Sequence, residues 1–443
     1  MVFKRDASKN SGVLLRFLIV MGFVALAGGA YAQDQADTPT APMPLANESG
    51  YDILTFLLMG ADTDSSTNNG RTDALMIVSV NRTAATASFL SIPRDLWVYI
   101  PAVGMNKINT AYASGQQIDG NGVGLLIETI RHNLGFEIDH YARINFAGFT
   151  RLIDDLGGVE VAVDCAIEDW RLKTPDLDPQ IEENWEMFTL PVGLHTMDGD
   201  LALWYARSRR TSSDFDRGRR QQVLMRAIWQ RVRALSLWDQ MADVFPQVTE
   251  LVQTDLTAGD ILEFVPLAAS LDTSRIAAYT FRANIEVSFG QSTDGQSILL
   301  PNHDAIAALQ AQMMRPPTES ELAREHANVE IVNGSGVRSF GRVAAERLAW
   351  EGFVPSVESD QHPYQAATVI YDYTGQRKGS SLQALQDTLR VSDEQVIREP
   401  NPNRTVDFRV VLGGAYFACT HPVMLPQSAP ASPQGAATEL PST

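Results

Sequence analysis

Cysteine is nearly absent from this chain: Cys165 and Cys419 are the two among 443 residues. So few thiols, so far apart, exclude a zinc ribbon and a redox C-x-x-C pair. They leave one disulfide between two folded parts in an oxidising compartment, or two separately buried thiols; the second is the expectation. Histidine is scarce as well, with seven residues in no metal-ligand spacing, which disfavours zinc. No Ser/His/Asp or Cys/His arrangement is visible, which weighs against acyl transfer and peptide hydrolysis. Net positive charge is missing too. With 53 acidic against 35 basic side chains the formal charge is −18, whereas a general nucleic-acid binder needs a broad basic surface to release counterions. Nucleic acid is therefore excluded as the partner, and any local concentration of arginine stands out.

Long apolar runs are lacking except at the start. Lys4, Arg5 and Lys9 precede the stretch Phe17–Ala27, and Ala30-Tyr31-Ala32 has the small-x-small form of a cleavage site. The run is shorter than the roughly 20 residues of a spanning helix, although extending it to 13–32 reaches that length and includes Arg16. Residues 1–33 are thus expected to be a signal peptide or membrane anchor, placing the rest of the chain outside the cytoplasm. Cleavage and retention both remain open.

What is present suffices for two domains: 44% hydrophobic and 20% charged residues support sizeable packed cores. Polar and proline-containing breaks divide the chain into a linker at 34–49, a body at 50–314, a second linker at 315–327, a module at 328–418 and a Pro/Ser/Ala-rich disordered tail at 419–443. In the body, β-favouring runs at 52–59, 74–80 and 86–92 are followed by helical periodicity at 123–133 and 146–156. A strand at 159–163 precedes an amphipathic helix over about 217–235, with Val223, Leu224, Ala227, Ile228 and Val232 on one face and arginines on the other. This order predicts an α/β fold, a mixed central sheet covered by helices. The module alternates strands and helices and predicts a second, small α/β domain.

The chemistry concentrates in three segments. Ala206–Gln222 holds Arg207, Arg209, Arg210, Arg217, Arg219 and Arg220, six arginines within fourteen residues of an acidic protein. Like charges this close repel unless anions meet them, and the planar guanidinium fork suits phosphate oxygens. A loop bearing Arg207 and Arg209 that feeds a helix start at Arg217 would also aim backbone N–H groups at an anion. The alternative is a solvated helix face paired with Asp214 and Asp216. The second segment, Gly60–Asp73, is a polar loop between apolar strands; Asp62, Asp64 and Asp73 offer oxygen ligands for Mg²⁺, against ordinary turn chemistry as the alternative. The third, Ser91-Ile-Pro-Arg94-Asp95, follows a strand directly, and Arg94 with Asp95 could form a plain surface ion pair.

Taken together, GRTDALMIVSVN, SFLSIPRDLWVYIP, KINTAYA, DHYARINFAGFTRLIDDLGGVEV and YARSRRTSSDFDRGRRQQ resemble the LytR-CpsA-Psr family in type, order and spacing. The module, with VEIVNGSGV, resembles the C-terminal domain often appended to LytR-type members. The resemblance implies an exported phosphotransferase on the extracytoplasmic face of the cell membrane. Such an enzyme moves a polyprenyl-pyrophosphate-linked glycopolymer onto a peptidoglycan hydroxyl, usually with Mg²⁺, and releases polyprenyl phosphate, the lipid tail lying in an apolar tunnel. Carried over by position, Asp62 and Asp73 would serve the metal and the attacking hydroxyl. Arg71, Arg94, Arg207, Arg209, Arg217 and Gln221, with Arg220 adjacent, would hold the pyrophosphate. Catalysis would then fall to Asp73, Arg94 and Asp62. Asp216, where many members have glycine, and Asp64 depart from the pattern, and the acceptor loops, 101–122 and 166–192, match nothing in it. The same residues would serve a lipid-pyrophosphate hydrolase, and a non-catalytic binder of lipid-linked polymer or wall glycan would need the arginines without Asp73.

Overall fold

A computed structural model describes residues 41–46, 50–61, 72–237, 241–271, 275–315, 324, 327–359, 362–375 and 379–419. The expected anchor, Asp62, Asp64, Arg71 and residues 420–443 lie outside the described residues.

The body begins with β1 (Ile53–Ala61), β2 (Thr72–Asn81) and β3 (Thr86–Ile92), followed by the hairpin of β4 (Trp97–Ile100) and β5 (Gly104–Lys107). Helices α1 (Ala111–Ile118) and α2 (Gly122–Leu134) lead to β6 (His140–Asn145) and α3 (Phe146–Asp155). Next come β7 (Val159–Val163), a hairpin of β8 (Ile167–Leu172) and β9 (Trp185–Leu190), and β10 (Gly193–Met197). Helices α4 (Gly199–Arg207), α5 (Asp214–Ala234) and α6 (Met241–Leu251) precede β11 (Val252–Thr254), α7 (Ala258–Ser270) and β12 (Ile276–Thr280). The hairpin of β13 (Val287–Gln291) and β14 (Ser297–Pro301) and helix α8 (His303–Met314) complete it.

The central sheet has six strands in the order β11-β6-β1-β2-β3-β12. It is mixed: β1, β2 and β3 pair antiparallel, whereas β6 runs parallel to β1 and β12 parallel to β3. Strand alternation sends Leu57, Met59, Leu75 and Ile77 into one core with α2 and α8. Across the sheet, Met76, Phe89 and Ile276 meet Met225 and Trp229 of α5. A third core joins β7, α4 and α5 through Val161, Tyr205 and Leu224.

The module has β15 (Asn328–Asn333), α9 (Phe340–Trp350), β16 (Val354–Ser359), β17 (Val369–Asp372), α10 (Gly379–Leu389), β18 (Val396–Arg398) and β19 (Phe408–Leu412). Its five-stranded sheet, β16-β15-β19-β17-β18, makes the second α/β unit. The module lies against the body through α9. There Arg226 of α5 stacks over the Trp350 ring at 4.8 Å, and the Gln230 amide donates to Glu346 at 2.9 Å.

Two expectations are corrected here. Cys165 and Cys419 are not separate thiols: they form a disulfide across a sequence separation of 254 residues. Cys165, just past β7, and Cys419, at the end of the module, are brought side by side by the packing of the two units, which spacing alone does not reveal. Cys419 accordingly belongs to the module rather than to a disordered tail. The long helix also begins three residues before the expected start, at Asp214. Ser213 caps it by accepting from the Asp216 amide, and Asp214 and Asp216 complement the positive end of the helix dipole.

Candidate functional site

Seven elements, β1, β2, β6, α3, α4, α5 and β11, meet around one cavity of about 330 Å³. Its register on α5 follows from helical geometry. Arg217, Gln221, Leu224, Met225 and Ile228 all line it, and their spacing repeats one face of a 3.6-residue period. The face therefore grades from a cationic first turn to an apolar interior. The opposing wall continues the gradient. Leu58 and Met59 of β1, Met76 of β2 and Phe149 and Leu152 of α3 form the apolar part, while Asp73, Arg94, Arg207 and Arg209 gather at the polar end.

Close approach makes the polar end possible. Helix α5 crosses the end of β3 at Gly218, where an added Cβ would sit 2.9 Å from Ser91 Cβ. Ser91 donates to the Gly218 carbonyl at 3.0 Å, and Gln222, fully buried, donates to Ser91 Oγ at 3.0 Å and to the Tyr279 carbonyl at 2.7 Å. These bonds fix the SIPRD turn against the helix, so Arg94 and Arg217 face the same space.

Asp73, at the start of β2, accepts from Arg94 Nη1 at 2.8 Å. Asp95 is the weaker partner of Arg94, at 3.6 Å from Nε, and is bridged instead by Lys107 at 2.8 Å. The plain Arg94–Asp95 surface pair is thereby replaced by a link across the cavity mouth. Asp214 is the hub that sequence reasoning named only as a counter-ion. Its carboxylate lies 3.6 Å from Arg94 Nε, 3.4 Å from Arg209 Nη1 and 3.4 Å from Arg217 Nη2.

The electrostatics differ among these arginines. Burial pulls the Arg94 pKa down, but Asp73, Asp214 and Asp95 outweigh it, and the net direction is up. For Arg217 burial prevails over Asp214, with Arg94 and Arg209 adding repulsion, and the net direction is down. Guanidinium stays protonated regardless. A lowered pKa here means that Arg217 holds its charge at a cost that an arriving anion would relieve.

The remaining expected residues separate clearly. Arg207, at the end of α4 rather than in a loop, stacks over the Phe146 ring at 4.3 Å and lines the cavity, as does Gln221, whose amide donates to the Ala206 carbonyl at 3.3 Å. Arg220 does not line it. This side chain is 1% exposed and donates to the carbonyls of Tyr205 and Ser208 and, at 2.9 Å, to Ser212 Oγ. Arg220 is thus corrected from a pyrophosphate ligand to the brace of the α4–α5 connection. Arg219 likewise faces away, held by both oxygens of Asp164 at 2.9 and 3.0 Å. The solvated-face alternative holds in its pairing, Arg217 with Asp214 and Arg219 and Arg220 with Asp216, but not in its exposure, since Arg217 and Arg220 are buried. Phe146 and Phe149 as lining residues and helix α4 were missed; the FAGF segment inside DHYARINFAGFTRLIDDLGGVEV was the available signal.

Among the described residues no group of three or more His, Cys, Asp or Glu side chains is placed to hold a metal ion. Of the expected ligands Asp73 lies among the described residues, and its carboxylate stands at the cavity mouth. Mg²⁺ commonly takes only one or two protein carboxylates, with phosphate oxygens and water completing the shell, so a donor set built on Asp73 fits that ion.

A family model described as LytR_cpsA_psr family matches residues 21–315, and one described as LytR cell envelope-related transcriptional attenuator matches residues 326–416. Polyisoprenyl-teichoic acid–peptidoglycan teichoic acid transferase TagT of Bacillus subtilis is 31% identical over 229 residues, covering 51% of this chain and 66% of that protein. The similarly named TagU of Halalkalibacterium halodurans is 36% identical over 211 residues, covering 47% and 62%. A probable cell wall biosynthesis protein, LcpB of Corynebacterium glutamicum, is 30% identical over 265 residues, covering 56% and 58%. The chain therefore spans somewhat under two thirds of the length of these relatives. Among solved structures, B. subtilis TagV superposes with a TM-score of 0.49 at 22% identity, over 59% of this chain and 96% of that one.

Proposed function

The chain belongs to the LytR-CpsA-Psr family, and from that premise we propose that it is an extracytoplasmic phosphotransferase. Its donor is a polyprenyl-pyrophosphate-linked glycopolymer and its acceptor a peptidoglycan hydroxyl. The observation that carries this reading is the gradient of the cavity, apolar along Met76, Leu152 and Ile228 and arginine-lined at Arg94, Arg207, Arg209 and Arg217. A prenyl chain gains by burial in the first part, and a pyrophosphate gains charge-assisted hydrogen bonds at the second. TagT and TagU are named for this class of transfer, of teichoic acid to peptidoglycan.

In the reaction, the acceptor oxygen attacks the phosphorus nearer the glycan, a phosphodiester forms, and the pyrophosphate P–O bond breaks to release polyprenyl phosphate. Transfer of this kind needs positioning and charge stabilisation more than covalent chemistry from the protein. Arg94 and Arg217 take the charge growing on the leaving phosphate. Asp73, with one oxygen held by Arg94, directs its other oxygen to the acceptor hydroxyl and receives its proton. Asp73 and Asp62 would hold Mg²⁺, which supplies further charge neutralisation at the pyrophosphate when bound.

The test is release of polyprenyl phosphate from a short synthetic lipid-pyrophosphate glycan with peptidoglycan fragments present, with and without Mg²⁺. Wild type, Asp73→Ala and Arg94→Ala are compared. Acceptor-linked product formed by wild type and lost in both variants supports the transferase. Release without linkage replaces it with a hydrolase, and binding without turnover in all three replaces it with a carrier.

A further inference from the structure

The β8–β9 hairpin presents a second surface beside the cavity mouth. Antiparallel pairing sets Trp170 opposite Met187 and Leu172 opposite Trp185. Because side chains alternate along a strand, these four share one face, and Arg171 and Phe188 share the other. The second face is packed: Phe188 meets Trp204 of α4 edge-on at 5.1 Å, and Arg171 pairs with Asp200 at 2.5 Å. The first face lies open, with Trp170 52% and Met187 37% exposed.

The open face is held rigidly and in register with the candidate site. Trp204 Nε1 donates to the Trp170 carbonyl at 2.9 Å. Asp169 Oδ2 accepts the backbone amides of Arg209 and Arg210 at 2.8 and 3.2 Å, and Arg209 lines the cavity. Arg210 in turn reaches Glu168 at 2.5 Å and Met187 Sδ at 3.3 Å. The exposed indole and the cavity mouth are therefore joined through one short loop.

We propose that this face is the platform on which the acceptor docks, an uncharged N-acetylhexosamine chain laid across Trp170 and Met187. The inference rests on the transferase reading above and names where its acceptor sits. An indole face carries negative electron density that attracts the C–H side of a pyranose ring while burying apolar area. Carboxylates along the hairpin accept sugar hydroxyl and amide protons, bonds strengthened by the charge of the acceptor. Charge also selects the occupant. Residues 167–190 carry seven acidic side chains against two basic ones, and Arg210, which reaches this face, is neutralised by Glu168; the remaining excess of carboxylates repels an anionic lipid surface or a phosphate-rich donor polymer and leaves a neutral glycan as the fitting partner.

The experiment uses the tetramer of N-acetylglucosamine as probe, with binding read by tryptophan fluorescence and by titration calorimetry on the full chain. Wild type should bind it, Trp170→Ala should lose roughly tenfold or more in affinity, and Trp170→Phe should recover part of it. Unchanged melting temperature shows that the hairpin remains folded, as expected when the Trp170 carbonyl is kept. In the transfer assay, Trp170→Ala should raise KM for the acceptor and leave the affinity for a prenyl pyrophosphate unchanged. Equal tetramer affinity in wild type and Trp170→Ala overturns the proposal. So does binding to phosphatidylglycerol vesicles that depends on Trp170, which would make the face a membrane contact. If tetramer binding depends on Trp170 but no polymer is transferred, the platform stands and the transferase reading falls.

Discussion

Asp73 and Arg94 meet across the cavity mouth, Arg94 Nη1 donating to Asp73 Oδ1 at 2.8 Å although they start from different strands. The pair ties the start of β2 to the end of β3. Each member therefore orients the other at the mouth.

Arg94→Lys is expected to fail nearly as completely as Arg94→Ala. Lysine keeps the charge but cannot reach Asp73 and a phosphate oxygen with one planar fork. Loss of such a group costs about 2.7–4 kcal/mol in the barrier, or roughly 10²–10³ in kcat. Steady-state release of polyprenyl phosphate by the two variants checks this; recovery by lysine to within a few-fold of wild type would show that charge alone matters.

Asp214→Asn should destabilise the ligand-free protein modestly, because three guanidinium groups within 3.6 Å of its carboxylate lose their shared counter-charge. Asp214, Arg94 and Arg209 are only partly buried, although Arg217 is buried, so the effect is on the order of 1 kcal/mol. Inorganic pyrophosphate should restore the melting temperature and bind the variant more tightly than wild type. Melting curves with and without pyrophosphate read both effects, and weaker binding to the variant would contradict the hub role.

Ala142→Trp should fill the apolar part of the cavity, where Ala142 of β6 forms part of the lining. Affinity for a long-chain prenyl pyrophosphate is expected to fall by about tenfold or more, in line with the lost apolar burial. Affinity for inorganic pyrophosphate should stay within a few-fold, since Arg94 and Arg217 are untouched. Calorimetric titration with both ligands separates the two ends; equal loss for both would mean that the cavity is not divided in this way.

Reduction of the Cys165–Cys419 disulfide, or Cys419→Ser, should lower stability by about 2–4 kcal/mol, because the bond restrains a long loop in the unfolded chain. Once the tether is gone, the contact of Arg226 with Trp350 should loosen. Melting with and without reductant, together with tryptophan emission in Cys419→Ser, provides the measurement. Identical melting in both redox states would leave the interface between the units sufficient by itself.

Much of the fold was legible locally. The strands β1, β2 and β3 fell where apolar β-favouring runs stood between turn residues, and β7 and α3 did so around Gly157 and Gly158. Helix α4 was not legible, because Gly199–Arg207 is short and its apolar residues divide between one core, with Ala202 and Tyr205, and the cavity, with Leu203 and Ala206. The β8–β9 hairpin was missed for a related reason: one of its faces is open to solvent, so the apolar alternation that marks a buried strand is weak there.

The sequence by itself determined which residue types were available for the chemistry. Arginines at fixed spacing, the SIPRD turn and the Asp73 strand start can be read without coordinates, because a side chain's charge and donor geometry belong to the residue. Tertiary structure decided which of them share a space. Arg217 and Arg220 lie three positions apart on one helix, yet the first faces the cavity and the second braces Tyr205 and Ser208. Cys165 and Cys419 are joined across 254 positions. Both outcomes depend on how helices and sheets pack against each other, and packing sums contacts from distant parts of the chain that no local window contains.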